Sequence, residues 1–171
     1  LYKDDYIRYP VLIKLDQNGD SLWTRNYKTG NPLIDNIVGL EAISNGDYLM
    51  VSYGFTQTAG DIGLLRIDSI GNLKWVKSAG LTSKFLTSVP RYMKVLDNGN
   101  ILVSFRTEPY PNQGTAGNYF AIFDSSGILK TQHRITKHIG ALPFIYPVTD
   151  STFFYACPTD TFLHGNGANL I

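Results

Sequence analysis

Apolar and polar positions alternate with a period of two along short runs, and Gly-bearing turns break the runs at regular places. VLIKLDQNGDSLW (Val11 to Trp23) reads as two strands around the turn Asp-Gln-Asn-Gly-Asp. The pattern returns as LLRIDSIGNLKW (Leu64 to Trp75) and as FAIFDSSGILKT (Phe120 to Thr131). Asp16, Asp68 and Asp124 head these turns at steps of 52 and 56 residues, and Gly19, Gly71 and Gly127 keep the same steps. Between them runs a second motif, EAISNGDYLMVSYG (Glu41 to Gly54) and KVLDNGNILVSFRT (Lys94 to Thr107), with a step of 53. PVTDSTFFYAC, Pro147 to Cys157, is a degenerate third copy in which Asp-Ser-Thr replaces the Asn-Gly turn. Two independent motifs sharing one period establish a repeat.

Each period of about 53 residues therefore holds four strands, two tight turns and two longer connections. Asn-Gly and Asp-x-x-Gly suit turns that need a residue at positive φ. No stretch sustains a 3.6-residue apolar period with caps, and Leu81 to Ser88 is the nearest candidate for one. Four antiparallel strands recurring at this spacing predict an all-β chain of β-propeller blades, about three blades' worth within residues 1–171. The expected division is an outer hairpin at 11–26, blades at 37–77 and 91–134, and a partial blade at 143–171. Three repeats are too few to close a ring of at least about four blades. The chain is thus expected to be part of a larger propeller or to be completed by association.

Composition narrows the class. Of the 171 residues 43% are hydrophobic and 17% charged, with 11 Tyr and 9 Phe, as in a β-rich globular domain. The formal net charge of +1 gives no basic excess for nucleic acid. No apolar run approaches the roughly 18–20 residues of a membrane span, so neither nucleic acid nor membrane insertion is expected. A single Cys157 excludes an internal disulfide and a Cys-rich zinc site, and its place at the end of an apolar strand reads as a small buried hydrophobe. The start at Leu1, with no signal peptide, suggests a mature or excised segment.

The chemistry-bearing residues form no recognised constellation. Asp16 and Asp20 suggest calcium, but the later copies lose those oxygens, and turn stabilisation by Asp accounts for all three. His133, His138 and His164 make no metal or nucleophile spacing. No catalytic residue, metal site or cofactor is therefore expected. Trp23 and Trp75 take one position of the repeat and are expected to pack between adjacent units; Thr131 takes that position in the third copy, which should weaken the contact there.

The tight turns 17–20, 45–47, 69–72, 98–100 and 125–128 fall at one end. The longer connections 27–36, 54–61, 78–90, 107–118, 135–142 and 157–169 fall at the other, where loops on a rigid scaffold carry function. Phe55, Tyr110, Asn112, Gln113, Phe162 and His164 are the candidate ligand-binding residues there. Aromatics mixed with amides suit carbohydrate or peptide recognition. Glu108 and Asp160 are the nearest approach to an acid/base pair.

The Asp-x-x-Gly-x-x-x-Trp hairpin resembles the tryptophan motif of quinoprotein-like propellers, where it joins a blade's two outer strands. VLIKLDQNGDSLWTRNY and IGLLRIDSIGNLKWVKSAG also resemble repeats of secreted bacterial propellers, many of them cell-surface proteins exported by the type IX secretion system. The resemblance implies outer pairs 11–16 with 21–26, 62–68 with 72–77, and 119–124 with 128–134. Its inner pairs are 37–44 with 48–53, 91–97 with 101–106, and 143–149 with 153–157. It further implies a secreted or cell-surface location, without a quinone cofactor site. The expected role is a non-enzymatic binding or scaffold module with a protein partner, a surface assembly or a carbohydrate. The alternative is the propeller part of an extracellular polysaccharide-active lyase or hydrolase.

Overall fold

The computed structural model describes residues 9–28, 36–55, 60–79, 86–109, 117–135 and 144–156. These residues form antiparallel strands and no helix. The strands are β1 (Val11–Leu15), β2 (Ser21–Asn26), β3 (Asn36–Ala42), β4 (Tyr48–Phe55), β5 (Gly60–Ile67) and β6 (Leu73–Ser78). They continue as β7 (Leu86–Val95), β8 (Ile101–Pro109), β9 (Gly117–Phe123), β10 (Leu129–Ile135), β11 (Phe144–Pro147) and β12 (Phe153–Ala156).

Pairing follows the repeat. β3-β4-β5-β6 and β7-β8-β9-β10 are each a four-stranded antiparallel meander, and β1-β2 and β11-β12 are two-stranded hairpins. The two meanders meet at one corner through a single parallel bridge, Gly60 to Thr87. Several strands outrun the sequence expectation. β7 starts at Leu86 instead of 91, because β8 extends to Pro109 and supplies partners across an irregularity at Pro90/Tyr92. β4 and β5 stay paired as far as Phe55 and Gly60, so Phe55 ends a strand and the 54–61 connection is shorter than expected.

Five turns share one mechanism. Gly19, Gly46, Gly71, Gly99 and Gly127 all lie at φ between 80° and 90°, which a glycine adopts without strain. In each, the glycine N–H donates to the carbonyl three residues back, as Gly71 does to Asp68 at 3.0 Å. In the Asp-x-x-Gly turns one carboxylate oxygen also gathers two backbone N–H groups: Ile70 (3.1 Å) and Asn72 (2.8 Å) on Asp68, Ser126 and Ile128 (both 2.9 Å) on Asp124. Asp16 holds Asn18 and Asp20 in the same way. These bonds depress the carboxyls of Asp68 and Asp124, led by the Asn72 and Ile128 N–H groups. The repeated aspartate is a turn clamp.

Strand alternation gives each meander two apolar faces. Met50, Leu65 and Ile67 turn towards the first hairpin, meeting Leu12 and Tyr27. Leu49, Val51, Ile62 and Leu64 turn the other way, onto Met93, Ile101, Val103, Phe105, Ala121 and Phe123 of the next meander. That meander's far face, with Leu102, Phe120 and Ile122, receives Ile145 and Phe153 of the last hairpin. The core is thus three apolar layers between four successive sheets, and no single strand could bury both faces without its neighbours.

Candidate functional site

The most repeated side-chain arrangement lies between units. A Cβ placed on Gly71 would come within 3.0 Å of Cη2 of Trp23 and 2.9 Å of Cγ of Arg25. A Cβ on Gly127 would come within 3.0 Å of Cη2 of Trp75. The six-membered ring of one outer hairpin's indole therefore lies against the turn glycine of the next through Cη2 and Cζ3, and the cations two residues on, Arg25 and Lys77, sit 5.7 Å from the same rings. Tyr27 completes the first contact by donating its buried hydroxyl to the Gly71 carbonyl at 2.9 Å; burial raises its pKa. This matches the expectation that the Trp packs between units. Thr131, at the third position, bonds instead to His133 Nε2 at 2.9 Å.

The turn end carries two charge clamps. Asp47, which is buried, accepts from Arg66 Nε at 2.8 Å, from Lys74 Nζ at 2.7 Å and from Asn45 Nδ2 at 3.1 Å. Glu41 pairs with Lys94 of the following meander and accepts its Val95 N–H at 2.6 Å, tying the two units together. An open cleft runs between these clamps, lined by Glu41, Arg66, Lys94, Asp97 and Ser125. The hydrogen bond to Glu41 raises the pKa of Lys94.

The Asp47 carboxyl is lowered from 3.8 to about 2, first by Lys74 and then by Arg66 and Asn45. The unfolded carboxyl protonates before the folded one, so the stabilisation is complete above 3.8 and disappears as pH falls through about 2. Thermal unfolding followed by circular dichroism is expected to show a Tm that is flat down to about pH 4 and then drops towards pH 2. Asp47→Asn should lower the neutral Tm and shrink that acid drop; an unchanged acid limb would refute the role given to Asp47.

The loop end is polar where the strands stop. Asp61 is buried and accepts the Ile62 N–H at 2.8 Å and the Ser78 hydroxyl. Thr107 donates to the Gly117 carbonyl at 3.4 Å, and Asn118 donates to the Tyr155 hydroxyl at 2.9 Å, linking the second meander to β12. Arg106 stands opposite Asn118 in the β8–β9 register, and Arg134 packs beside Gly117.

Of the residues that sequence reasoning placed at this end, Tyr110, Asn112, Gln113, Phe162 and His164 lie outside the described residues, as does the side chain of Phe55. Glu108, as a side chain, and Asp160, Cys157, His138 and His164 also lie outside them. The sequence reading missed Asp61, Arg106, Asn118 and Tyr155. Their signal was present: each is a polar residue in the loop-side half of a strand whose turn-side half is mostly apolar, as Arg106 follows Ile101-Leu102-Val103. Among the described residues no group of three His, Cys, Asp or Glu side chains could hold a metal ion. Comparison with protein-family models and with curated proteins found no match.

Proposed function

We propose that the four-stranded units are blades of a β-propeller. On this reading they form a secreted or cell-surface module of bacterial type that binds protein or carbohydrate at its loop end. One observation carries the reading: a single interface recurs at the repeat step, indole on turn glycine with an apolar layer beneath it, from Trp23/Gly71 to Trp75/Gly127. Blades of a propeller stack through such a recurring face contact, with loops gathered at one end. The extracellular location rests on the resemblance of the Asp-x-x-Gly-x-x-x-Trp repeats to exported bacterial propellers.

Binding is favoured over catalysis by the groups that reach the loop end. Arg106, Asn118, Tyr155 and Thr107 are donors and acceptors suited to hydroxyls and amides. The Asp61 carboxylate is engaged by Ile62 N–H and Ser78. The test is affinity electrophoresis against a panel of soluble polysaccharides, with parallel assays for new reducing ends and for the ultraviolet absorbance of lyase products. Retardation without turnover is expected. Tyr110→Ala with Asn112→Ala should weaken it about tenfold, the scale of one good contact of ~1.4 kcal/mol, while Ser125→Ala at the turn end leaves it unchanged. Turnover, or loss of binding through turn-end variants, would overturn the proposal.

A further inference from the structure

Three of the turn glycines follow an asparagine, at Asn18, Asn45 and Asn98. We propose that Asn18 is a site of spontaneous deamidation, set apart from the other two because its turn leaves the amide side chain untied. The chemistry favours Asn-Gly: with no Cβ on the following residue, its backbone nitrogen reaches the asparagine Cγ unhindered. That nitrogen gives up its proton to hydroxide and bonds to Cγ. The Cγ–Nδ2 bond breaks, and the amide leaves as ammonia with a proton from water. Water then opens the five-membered imide at either carbonyl, giving Asp or isoaspartate. One water is taken up and one ammonia released, with no oxidant or reductant.

All three asparagines are exposed, so access of water does not separate them. The hydrogen bonds that imide formation must break do. In each turn the glycine N–H is tied to the carbonyl three residues back: Gly19 to Asp16 at 3.2 Å, Gly46 to Ile43 at 2.9 Å and Gly99 to Leu96 at 2.8 Å. At Asn18 nothing is added among the described residues, because the Asp16 carboxylate takes the Asn18 and Asp20 N–H groups itself. Asn98 adds a second bond, its Oδ1 accepting the Asn100 N–H at 2.9 Å. Asn45 adds two: its Oδ1 accepts the Asp47 N–H, and its Nδ2 donates to the Asp47 carboxylate, both at 3.1 Å. Arg66 and Lys74 hold that carboxylate in place. Asn100, at the equivalent position, has no carboxylate to offer the Asn98 amide. The fourth Asn-Gly pair, Asn166 with Gly167, lies outside the described residues.

The product matters because of what this turn holds. Isoaspartate carries the main chain through the former side chain and adds a carbon to the turn. The Asp16 N–H then no longer closes on the Asp20 carbonyl with its present geometry, 2.9 Å. That closure sets the register of β1 on β2, the hairpin from which Leu12 and Tyr27 reach the first meander. Deamidation at Asn18 therefore loosens the first hairpin and puts a third carboxylate among Asp16 and Asp20, while both meanders keep their turns. The inference is independent of the blade reading and of any loop-end ligand.

Ageing of the 171-residue chain at mildly alkaline pH, followed by peptide mapping with mass spectrometry, tests it. Methylation by an isoaspartyl carboxyl methyltransferase reads the isoaspartate separately. One hydrogen bond at the strong end of the usual range is worth about tenfold in a rate. Asn18 is therefore expected to convert about tenfold faster than Asn98, and Asn45 to be the slowest. In denaturant, where no turn is held, the three should convert at similar rates. Asn100→Asp, which restores the missing carboxylate, should slow Asn98 several-fold, and Asp47→Ala should speed Asn45 several-fold. The unaltered turns in the same digest should keep their rates, which distinguishes a local effect from a loosened fold. Equal rates at the three sites of the folded chain would overturn the proposal. So would Asn45 or Asn98 converting ahead of Asn18, or an Asn18 that is stable in the folded chain while it converts in denaturant.

Discussion

Leu65→Ala and Ile67→Ala are each expected to cost about 2–5 kcal/mol of unfolding free energy. The same change at the equivalent repeat positions, Ile13→Ala and Leu15→Ala, should cost less than about 0.5 kcal/mol. The side chains are alike and the strands are alike; the difference is the neighbour. Leu65 and Ile67 lie in the layer between β4-β5 and the first hairpin, in contact with Met50 and Tyr27. Truncating them removes apolar contact and leaves a cavity that a layer between two sheets closes poorly. Ile13 and Leu15 stand half-exposed on the far side of β1, so truncation changes little that water does not already touch. Urea unfolding monitored by circular dichroism reads all four variants. Equal losses at both pairs of positions would show that stability does not come from stacking between units.

That contrast also marks what the sequence could show. Alternation and the 52- to 56-residue step carried the strands, their pairing partners and the turns, because each depends on residues close in the chain: Asp68 with Asn72, Gly127 with Asp124. Which apolar face meets which neighbour was only half legible. Leu12 and Ile13 look identical as letters, yet Leu12 packs into the next unit and Ile13 faces outward. Phase along a strand assigns a side chain to a face, and only the count of neighbouring sheets says whether that face is covered.

Strand ends were legible only loosely. β7 gained five residues over the expectation because β8 could pair with them, a non-local fact absent from the run Leu86 to Pro90 itself. At the loop end the reading sought aromatics and amides within the connections. Asp61, Arg106 and Asn118 sit instead on the strands, where a polar residue in an apolar phase is easily read as a strand terminus. The clamps Asp47–Lys74 and Glu41–Lys94 span 27 and 53 residues, so no local pattern announces them.

Trp75→Ala should cost about 3 kcal/mol, the low end of the range for a large aromatic because the indole is half-buried. Gly127→Ala attacks the same contact from the other side. At φ 80° the alanine backbone is strained by about 1 kcal/mol. Its methyl would also stand 3.0 Å from the Trp75 ring and 3.4 Å from Lys77 Cδ, forcing the indole off the turn; the total is expected near 2–3 kcal/mol. Gly19→Ala separates these two causes. Its φ of 90° brings the same backbone strain, and nothing lies within 4 Å of the added methyl, so it should cost only about 1 kcal/mol. The double variant Trp75→Ala with Gly127→Ala should then be less damaging than the two singles added together. The coupling is expected at about 1 kcal/mol, as for residues in direct contact. Denaturant unfolding of the five chains gives the cycle. If Gly19→Ala proves as costly as Gly127→Ala, or the cycle shows no coupling, the indole–glycine contact does not hold the units together. The apolar layers alone would then have to explain why the repeat keeps its tryptophan in two copies of three.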